Sequence, residues 1–435
     1  MAQRKLFGTD GVRGVAGEFL TPELAVRLGR AAALGAEAGR PQVLIVRDTR
    51  ESGPMLEDAL AAGVAAGGGD AIIGGVLPTP AASVLVRRLG LDLAAVVSAS
   101  HNPYRDNGIK FFSAAGTKLD DEAEAAIEAR LEEEGGAEVG RVRSLEGGLD
   151  DYLRELRGAF ALDLSGTRVA LDCANGATYR AAPAIYRVLG AEVETIAAEP
   201  DGRNINDGCG STHPERLAEV VSSSGADVGF AFDGDGDRVI AVDSNGRIRD
   251  GDELIALAAT GLEQRGELAG GVAVTVMTNY GFHQAMEVAG IEVAQTDVGD
   301  RYVLEELRRR DWTLGGEQSG HLIWTGYAPT GDGIAASLLA LASLGGRSLS
   351  DVSPFERLPQ RLENVEVADR GAIEEAAGLW SAVKDENGRL QGRGRVLVRP
   401  SGTEPLLRIM VEAPTENECD AVLTRLTERA RTELA

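Results

Sequence analysis

In the segment Val228-Gly229-Phe230-Ala231-Phe232-Asp233-Gly234-Asp235-Gly236-Asp237-Arg238, three carboxylates alternate with two glycines directly after an apolar run. Alternate residues of an extended chain point the same way, so Asp233, Asp235 and Asp237 can converge on one point. Converging carboxylates repel one another unless a hard cation sits between them, and oxygen ligands of this kind suit Mg²⁺. An EF-hand loop is excluded. Its sixth position would be Arg238, where glycine is required, and its twelfth Ser244, where a bidentate Glu is needed. Three protein oxygens leave coordination positions open for a phosphate. An acidic β-turn is the competing reading.

Four further segments carry reactive or anion-binding groups. Val96-Val97-Ser98-Ala99-Ser100-His101-Asn102-Pro103 ends a buried strand on a displayed hydroxyl, and Lys110 follows ten residues after Ser100. Ser100 and His101 are adjacent, a poor spacing for a nucleophile and its base, and no G-x-S-x-G elbow is present, which argues against a Ser-His-Asp hydrolase. Lysine occurs only at positions 5, 110, 118 and 384. Lys110 becomes a proton-transfer group if its surroundings lower its pKa, and is otherwise a solvated lysine. Arg399-Pro400-Ser401-Gly402-Thr403-Glu404-Pro405, with Arg408 close behind, offers hydroxyls, backbone N–H groups and a forked guanidinium to a phosphate, or is an ordinary hairpin turn. Gly315-Gly316-Glu317-Gln318-Ser319-Gly320-His321 places Glu317 and Ser319 two apart, suited to neighbouring sugar hydroxyls, with His321 either a site residue or a loop histidine. Gly8-Thr9-Asp10-Gly11-Val12-Arg13-Gly14 sets Arg13 in a glycine-rich turn, again fit for an anion.

The elements that must position these segments repeat. Short apolar runs at Val43–Val46, Val169–Leu171 and Val272–Val276 each end in polar residues, then an Ala/Leu-rich helical stretch, a glycine stop and a second strand. This is the βαβ signature of helix-covered parallel sheets, and its recurrence predicts three related α/β domains in tandem. The last seventy or so residues read as a smaller α+β domain. Strands at Val396–Val398 and Leu406–Val411 precede a helix with a Thr415/Glu418 capping box and an apolar face at Cys419, Val422, Leu423, Leu426 and Ala430. The Gly/Glu-rich stretch Glu132–Gly148 reads as a surface loop, and the region Arg361–Arg370 as a turn and hinge.

A chain of 435 residues with 43% apolar content builds several cores, so intrinsic disorder is excluded. The net charge of −24 argues against a nucleic-acid or anionic-membrane partner. It also requires any anionic substrate to be held by a local cation cluster. Three scattered cysteines without a C-x-x-C pair fit a reducing compartment. The N-terminus lacks a signal-peptide apolar region, and no apolar run is long enough to span a bilayer. The expected location is cytoplasmic.

Taken together and in this order, the five segments resemble the α-D-phosphohexomutase family over essentially the whole chain. The match is best to its bacterial amino-sugar branch, at Phe7–Gly17, Ser98–Phe112, Asn204–Pro214, Val298–Val303, Gly315–His321 and Thr330–Ile334. Gln318 and Ser98-Ala99-Ser100 favour that branch over relatives acting on mannose or glucose phosphates, which form the alternative. The resemblance implies an α/β fold of three tandem related domains plus a smaller C-terminal α+β domain around a central cleft. Its divisions are 1–155, with the phosphoserine loop; 156–252, with the metal loop; 253–364, with the sugar loop; and 365–435, with the phosphate loop.

The resemblance also implies site roles. Ser100 carries the phosphoryl group and completes a one-Mg²⁺ site with Asp233, Asp235 and Asp237. His101, Lys110, Arg13 and Arg238 lie around the reacting phosphate. Glu317, Ser319 and His321 meet the sugar, and Arg399, Ser401, Gly402, Thr403 and Arg408 take its phosphate. The implied reaction interconverts glucosamine 6-phosphate and glucosamine 1-phosphate through a sugar 1,6-bisphosphate, which also activates the enzyme. It would feed UDP-N-acetylglucosamine and cell-wall precursor synthesis. The implied partner is a phosphosugar, with neither nucleic acid nor membrane involved and a homodimer left open.

Overall fold

The computed structural model describes residues 6–8, 10–135, 138–367, 371–400 and 405–434. They form two compact units: a larger one of Met1–Met277 and Glu292–Val352, and a smaller one of Thr278–Ile291 and Ser353–Ala435.

The larger unit holds three sheets. The first is built from β1 (Val12–Val15), α1 (Pro22–Gly35), β2 (Gln42–Arg47), α2 (Gly53–Ala66), β3 (Asp70–Val76), α3 (Thr79–Arg88), β4 (Leu93–Val97), β5 (Asp106–Ser113), α4 (Asp121–Ala129), β6 (Val142–Ser144) and α5 (Gly148–Ala159). Its strand order is β1-β5-β4-β2-β3-β6. The second contains β7 (Arg168–Asp172), α6 (Thr178–Val188), β8 (Glu192–Ile196), α7 (Glu215–Ser224), β9 (Val228–Phe232), β10 (Val239–Asp243), β11 (Ile248–Arg249) and α8 (Gly251–Arg265), in the order β11-β10-β9-β7-β8. In the third, β12 (Val272–Thr275) is followed in the chain by α9 (Tyr280–Ala289), which belongs to the smaller unit. Then come β13 (Val293–Thr296), α10 (Asp300–Arg310), β14 (Leu314–Gly316), β15 (Leu322–Trp324) and α11 (Gly333–Leu344), and the order is β13-β12-β14-β15.

All three sheets share one four-strand plan. The first strand of the repeat lies between its second and third, parallel to both: β2 between β3 and β4, β7 between β8 and β9, β12 between β13 and β14. The fourth strand folds back antiparallel on the third, as β5 on β4, β10 on β9 and β15 on β14. The expected βαβ runs near residues 43, 169 and 272 are therefore three copies of one topology. Their central strands are buried on both faces and read as continuous apolar runs, as helix-covered parallel strands must. All five residues of β9 and four of five in β4 and β7 are buried.

The smaller unit contains α9, β16 (Gln360–Glu366), α12 (Gly371–Glu375), α13 (Ala377–Leu390), β17 (Arg395–Pro400), β18 (Leu406–Glu412) and α14 (Glu416–Leu434). Its antiparallel sheet runs β16-β18-β17. Thr415 Oγ1 accepts from the amide of Glu418 at 3.2 Å and starts α14, whose Cys419, Val422, Leu426 and Ala430 are buried. The Asn279 side chain accepts from the amide of Leu358 (3.0 Å) and donates to its carbonyl (3.1 Å), and Phe282 meets Phe355 edge to face. These contacts tie α9 into this unit.

Two expectations are corrected. The stretch 132–148, read as loop, contains β6, which pairs parallel with β3 at a sheet edge with all three residues exposed. The region 361–370, read as a turn and hinge, is largely strand: β16 pairs with β18 from Gln360 to Glu366, and the boundary between the units falls at Val352/Ser353. Among the described residues no helix is long and apolar enough to cross a membrane.

Candidate active site

The same connection in each of the three related sheets, between the third strand of the repeat and its antiparallel partner, bears a singled-out segment. The β4–β5 connection carries Ser100 and His101, the β9–β10 connection carries Asp233, Asp235, Asp237 and Arg238, and the β14–β15 connection carries Glu317, Ser319 and His321. All of these loops belong to the larger unit, and they line a cleft of about 500 Å³.

Ser100 leaves β4 in the left-handed region, at φ +52°, and its Oγ donates to Asp233 Oδ2 at 2.6 Å. Its amide donates to Ser98 Oγ, which in turn donates to Asp48. Asp233, Asp235 and Asp237 are buried, and one ligand oxygen from each lies within 4.8 Å of the other two. The close loop packing needs Gly234: a Cβ there would stand 2.6 Å from the Ser100 carbonyl oxygen.

The oxygens of this cluster are only partly satisfied. Asp233 Oδ1 accepts from the amides of Gly236 and Arg238, and Asp235 Oδ2 accepts from Lys110 Nζ (2.7 Å) and Thr79 Oγ1 (2.6 Å). Asp235 Oδ1 and Asp237 Oδ1 are buried without a hydrogen-bond partner. Burial, reinforced by Asp237 and Asp235, holds the Asp233 carboxyl well above the usual carboxylate range. For Asp237 burial works in the same upward direction but is outweighed by His321, Lys110 and Arg238, which hold it well below that range. Orphaned buried carboxylate oxygens are costly. An all-oxygen donor set with two of them, and Ser100 Oγ beside it, fits a hard divalent cation.

Positive charge surrounds this cluster. Arg238 Nε lies 3.9 Å from Asp237, and Arg13 pairs with Asp10. His101 Nδ1 is 3.3 Å from Ser100 Oγ, and burial, helped by Arg238 and Arg13, lowers its pKa. His321 is a cleft residue: its Nδ1 lies 3.7 Å from Asp237 Oδ2 and its Nε2 3.7 Å from Asp300 Oδ2. Burial lowers its pKa, but Asp237 and Asp300 outweigh that and raise it. Glu317 Oε1 accepts from the amide of Gly299 at 3.0 Å, which fixes its carboxylate at the cleft wall.

Lys110 behaves differently from the proton-transfer reading. It is buried behind the cleft wall against Asp235, and burial, which would lower its pKa, is outweighed by Asp10 and Asp235, so it is raised. The ammonium is held charged. Arg399 and Arg408 face each other across β17 and β18 in the smaller unit, and Ser401, Gly402 and Thr403 lie outside the described residues.

Several groups that line the cleft or hold the Ser100 loop were not singled out from the sequence. Lys118 Nζ bonds Asp300 Oδ2 at 2.6 Å and also Asp10. Its signal was the rarity of lysine, only four in the chain. Asp300 lies inside the matched segment Val298–Val303. Asp48 and Arg50 end β2 in a polar turn that carries no pattern of its own, and Asn206 sits in the β8–α7 loop.

Family models for phosphoglucomutase/phosphomannomutase match the chain in series: alpha/beta/alpha domain I over residues 4–138, domain II over 150–246, domain III over 250–358 and the C-terminal domain over 362–429. A phosphoglucosamine mutase of Desulforudis audaxviator is 52% identical, covering 97% of this chain and 96% of its own. One from Pelotomaculum thermopropionicum is 50% identical over 97% and 98%, and one from Bacillus cereus 46% over 99% of both. The fold is similar to that of a phosphoglucomutase/phosphomannomutase family protein of Burkholderia thailandensis, with a TM-score of 0.84 at 24% identity over 100% and 98% of the chains. It is also similar to that of an Aspergillus fumigatus N-acetylphosphoglucosamine mutase solved with GlcNAc-6P and magnesium, with a TM-score of 0.71 at 19% identity over 100% and 96%. With four family models in series along it and relatives about half identical over nearly its whole length, the chain belongs to the phosphoglucomutase/phosphomannomutase family of phosphohexomutases.

Proposed function

We propose that the chain is a phosphoglucosamine mutase, interconverting glucosamine 6-phosphate and glucosamine 1-phosphate. The observation that carries the chemistry is Ser100 Oγ held 2.6 Å from Asp233 at a cleft also lined by Glu317, Ser319 and His321. The choice of substrate rests on the relatives of 46–52% identity, all phosphoglucosamine mutases over nearly the full chain.

In this reading Ser100 works as a phosphoserine. Its P–Oγ bond breaks as a P–O1 bond forms to glucosamine 6-phosphate, giving the 1,6-bisphosphate. O1 gives up its proton as this bond forms, and Oγ gains one as it leaves. His101 Nδ1, 3.3 Å from Ser100 Oγ, is placed to supply that proton and to take it back when Oγ attacks in the return step, O6 then gaining a proton in its turn. The bisphosphate turns over, its P–O6 bond breaks as P–Oγ re-forms, and glucosamine 1-phosphate leaves. Ser100 with Asp233, Asp235 and Asp237 would hold one Mg²⁺, which when bound neutralises the phosphoryl oxygens.

Lys110 holds Asp235 in place. Arg13 and Arg238 counter the charge of the transferring phosphate, Glu317 and Ser319 meet sugar hydroxyls, and His321 lies between them and the metal loop. Arg399, Ser401, Gly402, Thr403 and Arg408 form the cradle for the non-reacting phosphate. A sugar 1,6-bisphosphate re-primes enzyme that has lost its phosphoryl group. The functional divisions are 1–155, 156–252, 253–364 and 365–435. Three free, buried cysteines suit a cytoplasmic setting.

The test is ³¹P NMR of product formed from glucosamine, glucose and mannose 6-phosphates, each with Mg²⁺ and a trace of the matching 1,6-bisphosphate. Preference for glucosamine 6-phosphate is expected. Equal or faster turnover of glucose or mannose 6-phosphate would keep the mechanism and overturn the substrate.

A further inference from the structure

Arg50 lies at the end of β2 with 0% of its surface exposed, and every N–H of its guanidinium is used. Nε donates to Asp48 Oδ2 at 2.8 Å. Nη2 donates to the carbonyls of Ser100 (2.7 Å) and Asn102 (2.9 Å), and Nη1 to those of Asp106 (3.0 Å) and Pro103. One buried side chain thus collects four carbonyls from the loop that displays Ser100. A second side chain grips two of the same oxygens from the neighbouring sheet's loops: Asn206 Nδ2 donates to the carbonyls of Ser100 (2.9 Å) and Asn102 (3.1 Å). Gly234 of the metal loop packs directly on this junction, since a Cβ there would stand 2.7 Å from Asn206 Nδ2.

The junction answers a local strain. Ser100 is left-handed at φ +52°, a conformation disfavoured for a residue with a Cβ. Such conformations persist only where the surroundings over-determine them. In this conformation Ser100 Oγ donates to Asp233 Oδ2 at 2.6 Å. The loop is held from its amide side as well, because Asp48 accepts from Ser98 Oγ, which accepts from the Ser100 amide. Neither Arg50 nor Asn206 lines the cleft.

We propose that Arg50 and Asn206 are positioning residues for phosphoryl transfer, clamping the carbonyls of Ser100 and Asn102 so that Ser100 keeps the backbone that aims Oγ at the metal loop. The proposal rests on Ser100 being the phosphoryl carrier. It predicts an effect on turnover without an effect on substrate binding, because the clamp acts on backbone carbonyls of the loop and neither of its side chains lines the cleft.

The experiment compares Arg50→Lys and Asn206→Gly in the full-length protein by steady-state kinetics and by hydrogen–deuterium exchange of residues 98–108. Lysine keeps the charge beside Asp48 but has at most three donors and no planar fork. Glycine adopts the φ of +58° found at Asn206 without strain and removes only the two hydrogen bonds. Each folded variant is expected to lose roughly 10–100-fold in kcat, the scale of an ångström-level misplacement. KM for the sugar phosphate should stay unchanged, and the 98–108 amides should exchange faster than in the wild type. If Arg50→Lys does not fold, Asn206→Gly carries the test alone. Wild-type kcat in a folded variant, a rise in KM in place of the fall in kcat, or unchanged exchange of the loop would overturn the clamp. A wild-type protein that turns over no hexose phosphate would instead overturn the mutase reading, and the exchange comparison would still report on the clamp.

Discussion

At the scale of single residues the site is a balance of buried charges. Asp233, Asp235 and Asp237 were legible from the sequence because alternation with glycine after an apolar strand has few other uses. Asp235→Asn should weaken Mg²⁺ binding by more than the roughly 10–100-fold typical of outer-shell losses. Calorimetric titration of the metal checks this, and unchanged affinity would remove Asp235 from the site. Lys118 and Arg50 were not legible as site residues, since each gains its meaning from a partner far away in the chain or from backbone carbonyls that no sequence pattern marks. Asp300 and Asn206 lie inside the matched segments Val298–Val303 and Asn204–Pro214 but draw their roles from contacts the sequence does not show.

A second residue, Asp332, makes stability depend on pH. It is buried, accepts from Tyr152 Oη at 2.7 Å and from the amide of Ala335 at 3.0 Å, and burial pushes its carboxyl up to about 6. The folded state therefore holds this proton more tightly than the unfolded state, where the group titrates near 4. The contribution of this group is fully present below about pH 4 and is lost as pH rises through 6, to the extent of about 3 kcal/mol for a shift of about two units. In urea melts between pH 4 and 7, Asp332→Asn should remove that slope, and an unchanged slope would contradict the assignment.

At the scale of elements the smaller unit has the opposite pH response. His283 on α9 is held at about 4, chiefly by burial and secondarily by Arg395. The unfolded chain takes up its proton near 6.5, so this contribution is complete above that pH and is lost as pH falls through about 4, to the extent of about 3 kcal/mol. Replacing His283 with Gln should flatten the acid side of the unfolding profile of this unit, as followed by exchange of α9 amides. An equally acid-sensitive variant would place the effect elsewhere. Leu426, fully buried on α14, should cost about 2–5 kcal/mol when truncated to Ala, read as a lower denaturation midpoint.

The same scale explains which elements the sequence hid. β2, β7, β9 and β12 are covered on both faces and stand out as apolar runs. β6 and β16 are edge strands, and edges carry charge and polarity to discourage pairing with other chains. Only Val365 of the seven residues in β16 is buried, so Gln-Arg-Leu-Glu-Asn-Val-Glu reads as a turn. The departure of α9 into the smaller unit was equally invisible, because its buried face looks the same whichever core it joins.

At the scale of the whole molecule, one topology used three times explains why chemistry-bearing segments spread over more than two hundred residues meet. Each repeat turns from its third strand to its antiparallel fourth at the same end of the sheet, and the three turns contribute Ser100, the cluster of Asp233, Asp235 and Asp237, and the cleft residues Glu317, Ser319 and His321. The repeat itself was legible from strand, helix and glycine spacing, but the shared hairpin was not. The net charge of −24 is compatible with an anionic substrate because Arg13, Lys118 and Arg238 line the cleft, while exterior charges beyond about 8 Å are largely screened at physiological salt.

In the proposed reaction Ser100 carries the phosphoryl group between the two ends of the sugar. The most direct measurement loads the protein with a sugar 1,6-bisphosphate in the presence of Mg²⁺, locates the phosphoryl group by peptide mass spectrometry, and chases it with glucosamine 6-phosphate. A single phosphoryl group on the Ser100 peptide, discharged by the chase to give the 1,6-bisphosphate and absent from Ser100→Ala, is the predicted result. A phosphoryl group on another residue, or wild-type turnover by Ser100→Ala, would mean that Ser100 is not the carrier.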